Sequence, residues 1–162
     1  MNPLFAPWRM TVIESYASQK SCVFCDLPKL GVSAESLILH QGKNAFVVMN
    51  KFPYSNGHLL FVPHRHVGSW TELSVEELSE LMALSQKAVR VCQKALGCQN
   101  FNLGANLGVD AGAGIPDHVH LHLVPRWMGD TNFMPVIAET KVISEHLEAS
   151  YQKLKKVWEA EA

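Results

Sequence analysis

Long hydrophobic runs are missing from this chain of 162 residues, and their absence is the first constraint on its class. A membrane-spanning helix needs about 20 consecutive apolar residues, and no run in the sequence approaches that length. The first nine residues hold two prolines and lack the basic-then-apolar pattern of a secretory signal. We therefore expect a cytoplasmic protein that does not enter a membrane.

An excess of charge is missing as well. The formal net charge is −1 at pH 7, whereas proteins that bind nucleic acid usually carry a strong positive field. This balance argues against a nucleic-acid partner but allows a small anionic ligand held by local donors. Repeats and low-complexity segments are absent too, and the length suits one domain with an adequate core. We expect a single domain over residues 1–162, with residues 1–20 as an N-terminal arm.

Cysteine is scarce, with only four in the chain. Four cysteines fit a reducing compartment and one metal site better than a disulfide framework. Cys92 and Cys98 fall in or just after a helical pattern, where a thiol usually packs as a small apolar group. Cys22 and Cys25 form a Cys-x-x-Cys pair, which is either half of a metal site or two buried thiols.

The apolar residues that are present predict short strands. Runs over residues 36–40 and 45–50 are separated by Gln41-Gly42-Lys43-Asn44, a composition typical of a hairpin turn. A third run follows at 58–63 and a fourth at 101–106. These four runs do not alternate with helical segments.

Two segments show helical spacing. Ser74 and Glu77 match a capping box, so a helix should begin there, and its apolar stripe continues to Leu96. Gly97 is the expected C-cap. A C-terminal helix is marked by Leu147, Tyr151, Leu154 and Trp158. Strands gathered around one long helix are typical of an α+β fold with an antiparallel sheet.

The most informative stretch is Asp117-His118-Val119-His120-Leu121-His122-Leu123-Val124-Pro125. Polar and apolar residues alternate along it, which predicts a half-buried strand with its three histidines on one face, about 7 Å apart in succession. Because proline cannot donate to a ladder, we expect the strand to stop at Pro125. Three histidines in this pattern are structural, or zinc ligands, or a nucleophilic ring between hydrogen-bond donors.

Together these motifs resemble the histidine triad (HIT) family. The segment 118–124 is similar to its alternation of histidine and apolar residues, and so are the turn 56–58, the segment 63–66 and the glycine-rich loop 108–114. Residues 125–135 resemble the branch close to diadenosine tetraphosphate phosphorylases. The resemblance covers nearly the whole chain. It implies a HIT-like α+β fold, with an antiparallel sheet of about five strands, one long central helix and a C-terminal helix.

The resemblance also implies nucleotidyl transfer through a histidine. His120 would attack the α-phosphorus of a nucleotide and form a nucleotidyl-imidazole intermediate, with its other ring nitrogen bonded to a backbone carbonyl. His122 would hold the phosphate or protonate the leaving oxygen. The ordinary histidine pKa of about 6.5 allows a neutral nucleophile near pH 7. No organic cofactor is implied.

Five further positions are implied to bind the substrate. Asn50 matches the family position that contacts the nucleoside sugar, and Asn106 matches a polar position near the phosphates. Gly112, Ala113 and Gly114 are small enough to let backbone N–H groups approach a phosphate. Each has a plainer alternative, because the asparagines could cap strand ends and the loop could be a simple turn.

The resemblance implies a structural zinc at Cys22, Cys25, His66 and His118. Two thiolates and two imidazoles form a common tetrahedral zinc set, and the related galactose-1-phosphate uridylyltransferases suggest the same four positions. Such a site would anchor the first triad histidine beside the nucleophile. The alternative is a pair of thiols with a free His66.

One position departs from the family pattern. Hydrolytic relatives often carry glutamine four residues before the first triad histidine, and Gly114 occupies that position here. Without an amide to orient water, inorganic phosphate is favoured as the acceptor, so diadenosine tetraphosphate and phosphate would yield ADP and ATP. The alternatives are a hydrolase of dinucleoside polyphosphates or nucleoside phosphoramidates, and a zinc-stabilised nucleotide-binding module without turnover. Relatives that pair their sheets edge to edge imply a homodimer.

Overall fold

The computed structural model describes residues 21–130 and 143–161. Five strands and three α-helices lie in these ranges. They are α1 (Val23–Asp26), β1 (Ile38–Gln41), β2 (Ala45–Met49), β3 (Leu59–Pro63), α2 (Val75–Leu96), β4 (Asn100–Gly104), β5 (Leu121–Arg126) and α3 (Leu147–Ala160). Two short 3-10 helices cover Leu27–Leu30 and Trp70–Glu72. The expected arm, residues 1–20, lies outside the described residues.

The strands form one antiparallel sheet in the order β1-β2-β3-β5-β4. β1 and β2 form the predicted hairpin, and β2 pairs with β3 from Ala45 opposite Pro63 to Met49 opposite Leu59. β5 lies between β3 and β4. The predicted α+β fold with a five-stranded antiparallel sheet is therefore confirmed.

β5 begins later than the histidine pattern predicts. Its ladder starts at Leu121, so His118 and His120 precede the strand. The alternation of faces is kept, because Val119, Leu121 and Leu123 are all buried in the main core. His122 is the one triad histidine within the ladder.

β5 also ends later than expected. The prediction that the strand stops at Pro125 is wrong, because β5 continues to Arg126. Pro125 pairs with Phe101 of β4, whereas β3 reaches only to Leu123 on the other side. Because β3 does not extend beside Pro125, the missing proline N–H removes no ladder hydrogen bond on that side of β5.

α2 is the long central helix that the sequence predicts. Ser74 Oγ accepts from the N–H of Glu77, and the Glu77 carboxylate accepts from the N–H of Ser74, which closes the capping box. Gly97 ends the helix with φ of +66°, a left-handed conformation that glycine adopts readily. Both predicted ends of this helix are confirmed.

Two apolar clusters cover the two faces of the sheet. The main core lies between the sheet and the helices α2 and α3, and Cys92 is fully buried in it. A smaller cluster on the other face consists of Phe24, Ile38, Phe46, Val48, Leu60 and Val62. Phe24 belongs to α1 and contacts the rings of His118 and His120, at centroid distances of 5.5 and 5.0 Å. The smaller cluster therefore places the Cys-x-x-Cys beside the histidines.

None of the helices in the described ranges is long and apolar enough to cross a membrane.

Candidate active site and metal centre

A fourth histidine joins the triad where β3 meets β5. The ring centroids of His120 and His122 are 4.9 Å apart, and those of His58 and His122 are 5.2 Å apart. All three rings are buried, with His58 fully inaccessible. Sequence reasoning gave His58 no role, although an imidazole at the start of the apolar run 58–63 was a usable signal.

Backbone just before β5 orients His120. Its Nδ1 lies 2.9 Å from the carbonyl oxygen of His118, and because a carbonyl only accepts, Nδ1 must carry the proton. Nε2 therefore keeps a lone pair, as a nucleophile requires. Burial lowers the pKa of His120 below its usual value, so the ring is neutral at pH 7. The expected hydrogen bond to a backbone carbonyl is present.

His58 fixes the proton of His122. The backbone N–H of Tyr54 and the amide of Asn50 lie 3.1 and 3.3 Å from Nδ1 of His58, so that nitrogen accepts and the His58 proton is on Nε2. This N–H donates to Nδ1 of His122 across 2.9 Å. The His122 proton is consequently on Nε2.

Nε2 of His122 is buried and has no hydrogen-bond partner among the described residues. A buried N–H left unpaired is costly, and such atoms concentrate where a ligand supplies the missing acceptor. Burial, followed by repulsion from neighbouring imidazoles, lowers the pKa of His122 to about 4 and that of His58 to about 3. Because both rings are neutral at pH 7, His58 donates to His122 and His122 keeps its own proton on Nε2.

The glycine-rich loop 108–114 forms hydrogen bonds mainly within itself and with Asn106. Gly112 and Ala113 donate their N–H groups to carbonyls earlier in the loop, at 2.8 and 3.2 Å, and the Asn106 amide donates to the Gly112 carbonyl at 3.4 Å. Two of the three N–H groups expected to hold phosphate are thus engaged. The N–H of Gly114 donates to no described residue, and a Cβ placed on Gly114 would meet nothing within 4 Å.

Asn50 lies directly after β2 and beside the histidines. Its Oδ1 accepts from the N–H of Phe52 at 2.9 Å, and its amide nitrogen faces His58. These bonds give Asn50 a role in shaping the β2–β3 loop. Its expected contact with the nucleoside sugar stays a prediction.

The four expected metal ligands come together from three separate parts of the chain. The ligand atoms of Cys22, Cys25, His66 and His118 all lie within 4.8 Å of one another. Cys22 Sγ is 3.3 Å from Nδ1 of His118, and Cys25 Sγ is 3.3 Å from Nδ1 of His66. Tetrahedral zinc bonds of about 2.0–2.3 Å place neighbouring ligands about 3.3–3.8 Å apart. The donor set therefore fits a zinc ion.

His118 connects this cluster to the nucleophile. Its Nε2 donates to the carbonyl of Pro63 at 2.9 Å, which leaves the Nδ1 lone pair facing the thiols. Its own carbonyl accepts from His120. His64, which was excluded from the metal set, instead hydrogen-bonds the Gly42 carbonyl at 3.1 Å. One residue thus serves the metal centre through its ring and the candidate active site through its backbone.

Comparison with known sequences agrees with this arrangement. Residues 32–128 match the family model described as HIT domain. The AP-4-A phosphorylase of Mycobacterium tuberculosis is 36% identical over 166 residues, which cover 98% of this chain and 85% of that protein. The asymmetrical bis(5'-nucleosyl)-tetraphosphatase of Schizosaccharomyces pombe is 34% identical over 95 residues, or 59% of this chain and 52% of that protein.

A solved structure gives the same result for the fold. The crystal structure of a Zn-bound histidine triad family protein from Mycobacterium smegmatis matches with a TM-score of 0.71 and 25% identity. The match covers 86% of this chain and 94% of that one. A buried histidine triad beside a Cys2His2 cluster, on a five-stranded antiparallel sheet, defines the class of the protein. The chain belongs to the HIT family.

Proposed function

We propose that this protein is a nucleotidyltransferase that cleaves dinucleoside polyphosphates through a His120 adduct and passes the nucleotidyl group to inorganic phosphate. The observation that carries the proposal is the pair of fixed proton positions, with a lone pair on Nε2 of His120 and an unpaired N–H on Nε2 of His122. The similarity to a relative named AP-4-A phosphorylase supports this substrate class.

In the first step, Nε2 of His120 attacks the α-phosphorus and the bond from phosphorus to the leaving polyphosphate oxygen breaks. The bonding electrons go to that oxygen, and the N–H of His122 donates a hydrogen bond to it as negative charge develops. The His118 carbonyl, which accepts from Nδ1 of His120, stabilises the cationic ring of the adduct. With diadenosine tetraphosphate, ATP leaves and adenylyl-His120 remains.

In the second step, a phosphate oxygen attacks the adenylyl group and the phosphorus–nitrogen bond breaks. ADP forms and His120 returns to its neutral form. Gly114 offers no side chain that could hold a water molecule in line, and its N–H is free of other described partners. We therefore assign the acceptor position beside Gly114 to phosphate, with Asn106, Gly112 and Ala113 shaping the loop. Positioning can offset the much higher concentration of water.

Chromatography of the products tests this function. With millimolar phosphate, diadenosine tetraphosphate should yield ADP and ATP, and without phosphate turnover should fall sharply. His120→Ala should lose several orders of magnitude of rate. AMP and ATP at an undiminished rate in phosphate-free buffer would establish the hydrolase alternative. Measurable nucleotide binding without any product would establish a binding module without turnover.

We also propose a structural zinc at the four-ligand cluster. The fit of the donor set and the Zn-bound relative support it. When bound, the metal would fix the His118 ring and, through its backbone, the carbonyl that orients His120. We place the protein in the reducing cytoplasm, where the thiols of Cys22 and Cys25 remain available as ligands. A single domain over residues 1–162 stays a prediction.

A further inference from the structure

The β2–β3 loop exposes two aromatic rings, and one of them, that of Tyr54, contacts the buried rings of His58 and His122. Phe52 is 45% exposed and Tyr54 is 48% exposed, and the neighbouring Lys51 is exposed too. Large aromatic side chains dominate core and interface energetics when they are covered. Two of them on one short loop, next to a cation, form a surface suited to a flat and anionic ligand.

The backbone that carries these rings is held at several points. The Phe52 N–H donates to Asn50 Oδ1 at 2.9 Å, and the Tyr54 N–H donates to His58 Nδ1 at 3.1 Å. The N–H of Asn50 donates to the His58 carbonyl at 2.9 Å, which closes the base of the loop. A ligand would therefore meet rings whose backbone is already ordered, and ordering costs on binding are small for such sites.

The far end of the loop is fixed by α2 and α3. Ser150 Oγ donates to Asn56 Oδ1 at 2.9 Å. Gly57 has φ of +73°, which strains any residue with a side chain, and a Cβ there would lie 2.4 Å from Leu96 Cδ1 and displace that side chain of α2. Exposure of the two rings is thus a property of an anchored loop.

The position of Tyr54 identifies which part of the substrate this surface would meet. Its ring lies parallel to that of His122, with 6° between the planes and 6.0 Å between centroids. Its other ring contact among the described residues is with His58, at 4.7 Å. In the proposed reaction His122 contacts the leaving oxygen, so Tyr54 lies on the side from which the leaving group departs.

We propose that Lys51, Phe52 and Tyr54 form a subsite for the leaving nucleotide, an inference that rests on the proposed function. The two rings stack on the second nucleobase, and Lys51 pairs with the polyphosphate that links it to the reacting phosphorus. Stacking on aromatic side chains accepts every base, because every base has a π face. The subsite therefore selects a second nucleoside over a bare polyphosphate without selecting its base.

The test compares diadenosine tetraphosphate with adenosine 5'-tetraphosphate, which lacks the second nucleoside and ends in a free phosphate. Calorimetry on the His120→Ala protein measures both affinities without consuming the ligand. Adding Tyr54→Leu should weaken the binding of diadenosine tetraphosphate about tenfold and leave the binding of adenosine tetraphosphate nearly unchanged. Phe52→Leu should have the same effect. Tyr54→Phe keeps the ring and should keep the preference. Val75→Ala, at a 73% exposed residue of α2, is the matched surface control.

The subsite would be overturned if Tyr54→Leu and Phe52→Leu weakened the binding of both ligands equally, or weakened the binding of neither. It would also be overturned by a parent His120→Ala protein that is folded by thermal unfolding and shows no preference for the dinucleotide. The proposed function fails differently, through absence of cleavage products from diadenosine tetraphosphate with the wild-type protein. A preference for diadenosine tetraphosphate that depends on the two rings, without turnover, would support the subsite and contradict the proposed enzymatic activity.

Discussion

The position of single protons decides what each buried histidine can do. His58 is held by two donors on Nδ1, so it presents N–H to His122, and His122 in turn presents N–H to the site. Reversing any one of these tautomers would leave two lone pairs or two N–H groups facing each other. We therefore regard His58 as a positioning residue that acts through His122.

His58→Phe tests this role. Phenylalanine removes the donor to Nδ1 of His122 and frees that ring to take the other tautomer, so kcat should fall about 10²-fold, the lower end of the roughly 10²–10⁴ range for a lost proton-transfer group. KM should change less than kcat, because His58 acts on the ligand only indirectly, through the Tyr54 N–H that its Nδ1 accepts. His58→Gln, whose amide can donate to His122, should recover part of the rate.

A readout of the tautomer separates positioning from folding. Nitrogen NMR of the wild-type imidazoles should show the His122 proton on Nε2, and His58→Phe should move part of it to Nδ1. An unchanged His122 spectrum together with a lost rate would contradict the positioning role of His58.

Gly114 gives a second prediction at the scale of one residue. A Cβ there meets nothing within 4 Å, and Gly114 is not among the glycines with positive φ, so a side chain fits without strain. Gly114→Gln would supply the amide that hydrolytic relatives carry. The product ratio should shift from ADP towards AMP at fixed phosphate. Gly114→Ala is the control, and an equal shift with alanine would mean that the amide is not responsible.

At the scale of elements, the junction of β3 and β5 buries histidines in their neutral form. Folding depresses the pKa of His58 to about 3, mainly through burial, against an ordinary value of about 6.5. Between these values the unfolded chain binds more protons than the folded one, so the free energy of unfolding rises with pH. Stability from this group is complete above about pH 6.5 and is lost as the pH falls towards 3.

Urea unfolding at several pH values checks this dependence. Each neutral buried histidine contributes a slope of up to about 1.4 kcal/mol per pH unit. The wild-type protein should therefore lose stability between pH 6.5 and 4.5 more steeply than His58→Gln, at the same zinc concentration. Parallel curves for the two proteins would show that folding does not lower the pKa of His58.

The metal cluster connects α1 to the segments that precede α2 and β5. Metal analysis of the purified protein should find about one zinc per chain, and Cys22→Ser should lose it with marked destabilisation, because metal binding and folding are coupled. Cys98→Ser is the control, since Cys98 is a buried thiol whose Sγ bonds backbone carbonyls outside the cluster. A protein purified with zinc supplied that stays metal-free and fully folded would refute the site.

At the scale of the whole molecule, the sheet ends in an edge strand that pairs with no further strand among the described residues. β4 is the last strand in the order, and four of its five residues are exposed, including Leu103 at 45%. Exposed edges of this kind readily pair with another strand, which supports the homodimer expected from relatives. Light scattering should give the mass of a dimer for the wild-type protein.

A charge on that edge should separate the subunits. Leu103→Lys should shift the mass towards 18.0 kDa, the mass of one chain. Met82→Lys changes a residue of similar exposure, 49%, on α2 and should leave the dimer intact. A dimer that survives Leu103→Lys would place the interface elsewhere.

Local sequence patterns predicted the five strands, α2 and α3, whereas α1 was not predicted. The capping box of α2, the hairpin of β1 and β2 and the alternation around His120 are patterns that act over a few residues, so they can be recognised locally. The four metal-ligand positions came from the resemblance to a family, because residues 22, 25, 66 and 118 are too far apart for spacing to predict their contact.

The ends of β5, the place of His58 and the direction of each hydrogen bond depend on contacts between distant parts of the folded chain. β5 could extend through Pro125 because β3 stops short of it, and no pattern within the segment reports the length of a neighbouring strand. His58 entered the site because β3 lies beside β5 in the sheet. The donors of Gly112 and Ala113 bond within the loop that was expected to hold phosphate. A proton is placed by the atom opposite it in space, and that atom is fixed only when the chain has folded.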